Sequence, residues 1–469
     1  MKGQLTEISG ERQFAATWVI SVLLALCCWS GARAAETPAT PEKSALERFL
    51  ERDYLLGDWG GLRSKLSTNG VDFEFVWFGS LPANVGGGMK QGSVLEGALL
   101  MTLDLDSQKL AGYSGGQFHA GSLYIHNGKE FSANYVGDLN KVSLLDFPDT
   151  FRLWELWYEQ KFLKGKVALK FGQLAIDRDF IVPEFYNSIA GLTFQNQTFF
   201  YPTMAFNVWD IPGFPPKHHA LASTPYGAPG VRLRIEPTER VYVQAGVYDG
   251  NPDTSFSGTR IKLSKEEGAL AYFETGYRLN QRKQDTGLPG NYKLGAYFHT
   301  GDFLDVYDTV ASMFGLTPGT RPAHPNNYGW YFLVDQMVYR ELTKDDPAQQ
   351  GLVAFFRLGG APKDRNLAQF GVDGGLVYKG LIPSRDWDTL ALGASYLEIS
   401  DDIRRAQRDG NSVTPVVVSD YETVIELSYK AQMTAWWTLQ PSVQRVFHPG
   451  GSSAIRDAWA VIVMTTLRF

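Results

Sequence analysis

The sequence predicts an all-β fold: a transmembrane antiparallel up-and-down β-barrel of 16 strands with a short N-terminal helical segment. Three observations carry that prediction. Period-two alternation of apolar and polar residues recurs along the chain, as in strands with two unlike faces. The connections alternate between tight turns and long loops, the pattern of a barrel whose long connections all lie at one end. The last strand, "AWAVIVMTTLRF", puts Trp459, Val461, Val463, Thr465, Leu467 and Phe469 on one face and ends on that ring. Chain ends fray in polar residues unless something holds them. A closing aromatic therefore needs apolar surroundings, which a lipid-facing stave supplies.

The elements follow in chain order. Residues 1–34 read as a cleaved secretory signal: Arg12 precedes the apolar stretch 14–29, and Ala32-Arg33-Ala34 closes it. Cys27 and Cys28, the chain's 2 cysteines, both lie inside it, so the mature chain has no disulfide and no cysteine metal site. Residues 35–70 form a segment on the periplasmic side or in the pore mouth. There Leu46, Phe49, Leu50 and Leu56 recur at helical spacing, and "GDWGG" turns the chain before "LRSKL".

From residue 71 to 469 the barrel strands are expected near 71–78, 95–106, 116–126, 151–162, 166–174, 231–236, 241–248, 268–279, 291–300, 328–340, 351–359, 369–379, 388–397, 422–430, 435–446 and 458–469. Only "LKG" follows the fourth strand, "PTER" the sixth and "AQMT" the fourteenth. The long loops include 175–230, rich in proline and aromatics, which either folds inward to narrow the pore or caps the barrel mouth. No mature segment offers an apolar run long enough for a membrane helix.

Parity gives each strand two faces. Glu155, Trp157, Glu159 and Lys161 oppose Trp154, Leu156, Tyr158 and Phe162; Arg232 and Arg234 oppose Val231, Leu233 and Ile235; Arg357 lies with Val353 and Phe355. A lysine or arginine on the lipid face costs ~2–4 kcal/mol at the midplane, so these charges belong in a lumen. Arg232, Arg234, Arg357, Lys170 and Lys293 share it with Glu155, Glu159, Glu236, Glu274, Asp335 and Glu426. Such a wall of both signs suits neutral polyhydroxylated solutes, with an indole such as Trp157 for the C–H face of a sugar ring.

Other chemistry is sparse. Lys plus Arg number 44 against 50 Asp plus Glu, spread along the chain, which argues against nucleic acid. No HExxH, GxSxG or P-loop motif occurs, and no catalytic residue, cofactor or metal is expected. His218 and His219 read as a solvated loop pair, while His119 and His126 lie on opposite parities of one strand. Asp177-Arg178-Asp179 and Asp401-Asp402 read as loop charges, with calcium binding as the alternative.

The blocks "GDWGGLRSKL", "LLDFPDTFRLWELWYEQKF", "YGAPGVRLRIEPTERVYVQAGVYDGNP", "QGLVAFFRLGGAPKDRN", "GLIPSRDWDTLALG" and the terminal "RF" together resemble the OprB-type carbohydrate-selective porin family over roughly residues 54–469. The resemblance implies a Gram-negative outer-membrane channel, not an enzyme, for passive uptake of glucose and other carbohydrates. It also implies a narrowed eyelet of arginine, glutamate and aromatic side chains. Carried onto matching blocks, the lining falls to Glu155, Trp157, Glu159, Arg232, Arg234 and Arg357. The partners expected are small carbohydrates and outer-membrane lipid, with homo-oligomerisation left open. A general or anion-leaning diffusion porin, favoured if the arginines form an uncompensated ladder, is the alternative.

Overall fold

The structure is a computed structural model and describes residues 43–127, 130–185, 193–200, 222–261, 264, 267–316, 323–341 and 350–469. The signal segment 1–34 and the pair His218–His219 lie outside these. Among the described residues one 17-stranded sheet forms, in which Gly92–Ser93 is a two-residue strand. The other sixteen are staves: β1 Val71–Gly86, β2 Glu96–Asp106, β3 Gly116–Asn127, β4 Thr150–Phe162, β5 Val167–Leu174, β6 Ala228–Ile235, β7 Val241–Asp249 and β8 Ala269–Leu279 make the first half. The second half is β9 Gly290–His299, β10 Asn327–Arg340, β11 Gly351–Gly360, β12 Ala368–Lys379, β13 Thr389–Ile399, β14 Tyr421–Thr434, β15 Trp437–Phe447 and β16 Ala458–Arg468. Consecutive staves pair antiparallel, and β1 pairs with β16 from Val76↔Arg468 to Gly86↔Trp459, closing the barrel.

Alternation builds the two faces. On β16 Trp459 is exposed outward while Ala460, Ile462 and Met464 are buried inward. Phe273, Leu294, Phe298, Trp330, Phe356 and Leu392 continue the exposed outer face around the barrel. An apolar belt of that extent suits lipid rather than water. Some boundaries differ from expectation. β1 runs on to Gly86 because Ala83 and Asn84 pair with Ser93 and Gly92 as well as with β16. "AQMT" is strand rather than turn, because Ala431, Gln432 and Thr434 all pair with β15.

One departure reorients a side chain. Between β3 and β4 the register slips at Gly121/Ser122, which pair with Glu155 and Leu153 and leave Trp154 as the extra residue of a bulge. Trp154 therefore does not share the outward face of Leu156 and Tyr158. It is buried among Ala98, Leu123, Ile125 and Leu145.

Before the barrel, α1 (Ala45–Leu50) is the expected helix, but it buries none of its residues. α2 (Leu62–Thr68) carries Arg63, which donates to the backbone oxygens of Phe469 at 2.6 Å and Phe73 at 2.7 Å and lies 3.4 Å from the centre of the Tyr54 ring. The C-terminal residue is thus tied down by a guanidinium, in addition to pairing of the Phe469 N–H with the Phe75 oxygen.

Two long connections turn into the barrel. In the β3–β4 loop, Phe131, Tyr135, Val136 and Val142 pack on Val424, Val446, Ala460 and Ile462, so the lumen wall there is apolar and covered. The β5–β6 loop does the same with Phe194 and Phe199 against Val353, Phe355 and Val377. Further along, α3 (Val306–Met313) and α4 (Asp401–Gly410), from the β9–β10 and β13–β14 loops, pack together through Val310, Ala311, Ile403 and Ala406. Asp401 and Asp402, weighed above as a calcium pair, sit in the first turn of α4 and pair with Arg404 and Arg405.

Candidate constriction in the lumen

Buried carboxylates of the wall hold the β5–β6 loop across the lumen. Glu274 on β8 accepts four bonds: one oxygen takes Tyr242 Oη at 2.7 Å and Gln244 Nε2 at 2.9 Å, the other the Ile181 N–H and Tyr331 Oη, each at 2.9 Å. Asp335 on β10 accepts the N–H of Phe185. Glu426 on β14 takes the consecutive N–H groups of Gln195 and Asn196 at 2.7 and 2.9 Å. Four residues earlier on the same face, Glu422 takes those of Leu139 and Asn140 at 2.8 and 2.7 Å, from the β3–β4 loop. Asn196 Nδ2 donates to the Asn140 oxygen at 2.7 Å, stitching the two loops together. Glu274, Asp335 and Glu426, expected to face solute, are loop anchors instead. A buried carboxylate is tolerable when its lone pairs are filled in this way.

The anchored loop brings its own charges to β4–β6. Lys170 Nζ lies 2.8 Å from Asp179, and Arg232 Nη2 lies 2.7 Å from Glu159 and 3.1 Å from Asp179. Burial would raise Asp179, but Lys170 and Arg232 outweigh it and hold its carboxyl below the usual range. Asp177 is buried against Thr224, whose hydroxyl donates to it at 2.7 Å, and burial pushes it up. Arg178, with half of its side chain exposed, stands 3.8 Å from Glu155. The Asp177-Arg178-Asp179 run is thus part of the lumen wall and not a set of solvated loop charges.

Trp157 is flanked on both neighbouring staves. His119 of β3 stacks on it with centroids 4.8 Å apart and planes 16° off parallel, and Lys170 of β5 places Nζ 4.4 Å from the ring centre. Its ring is therefore packed between the His119 imidazole and the Lys170 ammonium. Trp154, brought inward by the bulge, has Arg178 5.4 Å from its ring centre and borders open lumen.

The six expected lining residues separate into three groups. Glu155, Trp157, Glu159 and Arg232 come together with Lys170 and Asp179. Arg234 adjoins them on β6, bonded to Glu236 at 2.9 Å and 3.9 Å from the Tyr242 ring centre. Arg357 lies in another contact, 2.8 Å from Asp373 and donating to the Thr198 oxygen at 2.8 Å, where it too holds the loop.

The model of the "Carbohydrate-selective porin, OprB family" matches residues 90–469. The chain belongs to the OprB family of carbohydrate-selective porins. Porin B of Pseudomonas aeruginosa is 28% identical over 429 residues, covering 86% of this chain and 89% of the relative. A putative porin, QuiX, of Acinetobacter baylyi is 24% identical over 443 residues, covering 89% and 94%. A solved high-pH structure of Pseudomonas putida OprB shares the fold with a TM-score of 0.74 at 24% identity, covering 89% of this chain and 99% of that one. The protein is an outer-membrane β-barrel channel and a carbohydrate porin.

Next to the constriction this porin has a lumen cavity of about 790 Å³. Staves β1–β4 and the two inturned loops bound it, and Trp154, Phe147 and Phe200 give it an aromatic border. Sequence reasoning missed Trp154 because a bulge leaves no mark in the alternation. It missed Arg178 and Glu184 because nothing local tells a loop charge in the lumen from one in solvent.

Proposed function

We propose that this porin passes neutral, glucose-like monosaccharides and small oligosaccharides down their gradient into the periplasm, and that Glu155, Trp157, Glu159 and Arg232 set its constriction. One observation supports the reading above the others: Arg232 is bracketed by Glu159 and Asp179, and Arg234 and Arg278 by Glu236. Donors and acceptors alternate there. An uncompensated arginine ladder, which would favour anions, is not what these residues form. Sugar hydroxyls can give to Glu184 and take from Arg178, while Phe147 and Phe200 border the same space with apolar rings. Trp157 serves by fixing Lys170 and His119.

Of the expected segment 35–70, residues 50–70 are in this reading, through Arg63 and Tyr54, a collar at the pore mouth on the short-turn side, which in such barrels faces the periplasm. Residues 1–34 direct export. Lipid surrounds the outer belt.

Single-channel conductance in planar bilayers tests this, titrated with glucose, maltose and a size-matched polyol that is not a sugar. Saturable closure by the sugars alone is expected, at the millimolar affinity (~4 kcal/mol) that lets solute leave again. Indifference to sugars together with anion-biased reversal potentials would replace the reading by the general porin.

A further inference from the structure

We infer that the apolar bay beside the constriction receives the aglycone of an amphiphilic glycoside, an aryl or alkyl group carried on a sugar, so that such glycosides bind ahead of the free sugar. The inference rests on the carbohydrate reading above and specifies its solute. The bay's volume, about 790 Å³, lies in the range of small-molecule sites. Its stave wall is aliphatic and aromatic: Leu100, Leu123, Ile125, Phe78 and Trp154. The β3–β4 loop adds Leu145 and Phe147.

The polar groups of the bay gather on the side of the β5–β6 loop. Asp177 there is bonded to Thr224, and Glu184 is held by Lys293 at 3.0 Å. Arg178 is left half-exposed beside Trp154 and near Glu155. A free sugar covers little of such a wall, because its outward groups are mostly hydroxyls that prefer water to leucine. A solute with a hydroxylated ring and an apolar substituent matches both parts: the ring meets Arg178 and Glu184, which line the bay, and the substituent leaves water for its apolar wall. Arg178 is then a positioning residue at the boundary between the two.

The test uses the full mature chain in planar bilayers, with current block by glucose, phenyl β-glucoside and inositol. Burial of a phenyl ring should lower the half-blocking concentration of the glucoside about tenfold below that of glucose. Ala98→Phe, which fills the bay from β2, should bring the two together while leaving glucose block unchanged. Leu145→Trp fills it from the loop and serves where Ala98→Phe does not give the heat-modifiable folded band. Equal block by glucose and glucoside in the unaltered chain overturns the bay as a site and leaves the sugar reading standing. So does a preference that survives both filling variants. Block by the glucoside without block by glucose keeps the bay and removes free sugars as the solute. Block by neither overturns both.

Discussion

Glu274 on β8 accepts the backbone N–H of Ile181, in the β5–β6 loop, at 2.9 Å. That bond matters because Ile181 sits at φ 62°, a left-handed conformation that β-branched residues avoid. Two tyrosine hydroxyls and Gln244 fill the rest of the carboxylate. Glu274→Ala strands several buried donors at once, at roughly 1–3 kcal/mol for each left unpaired. The expected outcome is a folded barrel with a higher and noisier single-channel conductance and weakened sugar block, read in planar bilayers. Unchanged conductance would mean that the loop holds its course without Glu274.

The two inturned loops should prove coupled. Glu426 grips Gln195 and Asn196, Glu422 grips Leu139 and Asn140, and Asn196 bridges to the Asn140 oxygen. Removing either carboxylate should expose its own loop to protease and loosen the other through that bridge. Limited proteolysis of Glu422→Ala, Glu426→Ala and the pair should then show a double effect smaller than the sum. Neighbours that share a network are typically non-additive by about 0.5–3 kcal/mol. Strict additivity would mean that the loops are independent.

How much of this was legible in the chain depends on the period of the signal. The barrel was, because alternation and loop lengths repeat around the sheet, and Arg232 and Glu159 fell on the lumen face by parity alone. Trp154 was not sorted correctly, because a one-residue bulge turned it inward; Trp157 lies on the lumen face as parity has it, packed against His119 and Lys170. The anchoring roles of Glu274, Asp335 and Glu426 depend on backbone groups more than a hundred residues away in two of the three cases, Asp335 with Phe185 and Glu426 with Asn196. No local pattern encodes such a contact.

The contacts of Arg63 can be separated from the pore. Arg63 holds the carbonyls of Phe469 and Phe73, at the seam where the first and last staves meet. Arg63→Ala should lower the temperature at which the heat-modifiable band is lost, by the order of the ~1.5–3 kcal/mol that hydrogen bonds to a charged group contribute. Conductance and sugar block should remain as in the unaltered chain. A changed sugar block would place Arg63 in the solute path.

The pH response of the constriction has a definite sign. Burial alone would raise Asp179, but Lys170 at 2.8 Å and Arg232 at 3.1 Å hold its carboxyl below the usual range. A depressed carboxylate contributes stability that is fully present above its unfolded value, about 3.9, and lost as pH falls through the folded one. From neutral pH down to about 4 this ion pair should therefore give no pH dependence. Below that, protonation releases Lys170 and Arg232 from one of their partners, and the loop should loosen. Asp179→Asn removes the response along with the carboxylate: its conductance and sugar block should be altered at pH 7, and further acidification should add less change than in the unaltered chain. Bilayer recordings of both proteins between pH 7 and pH 3 decide it. Parallel acid responses in the two would assign the transition to another group and leave Asp179 a structural contact only.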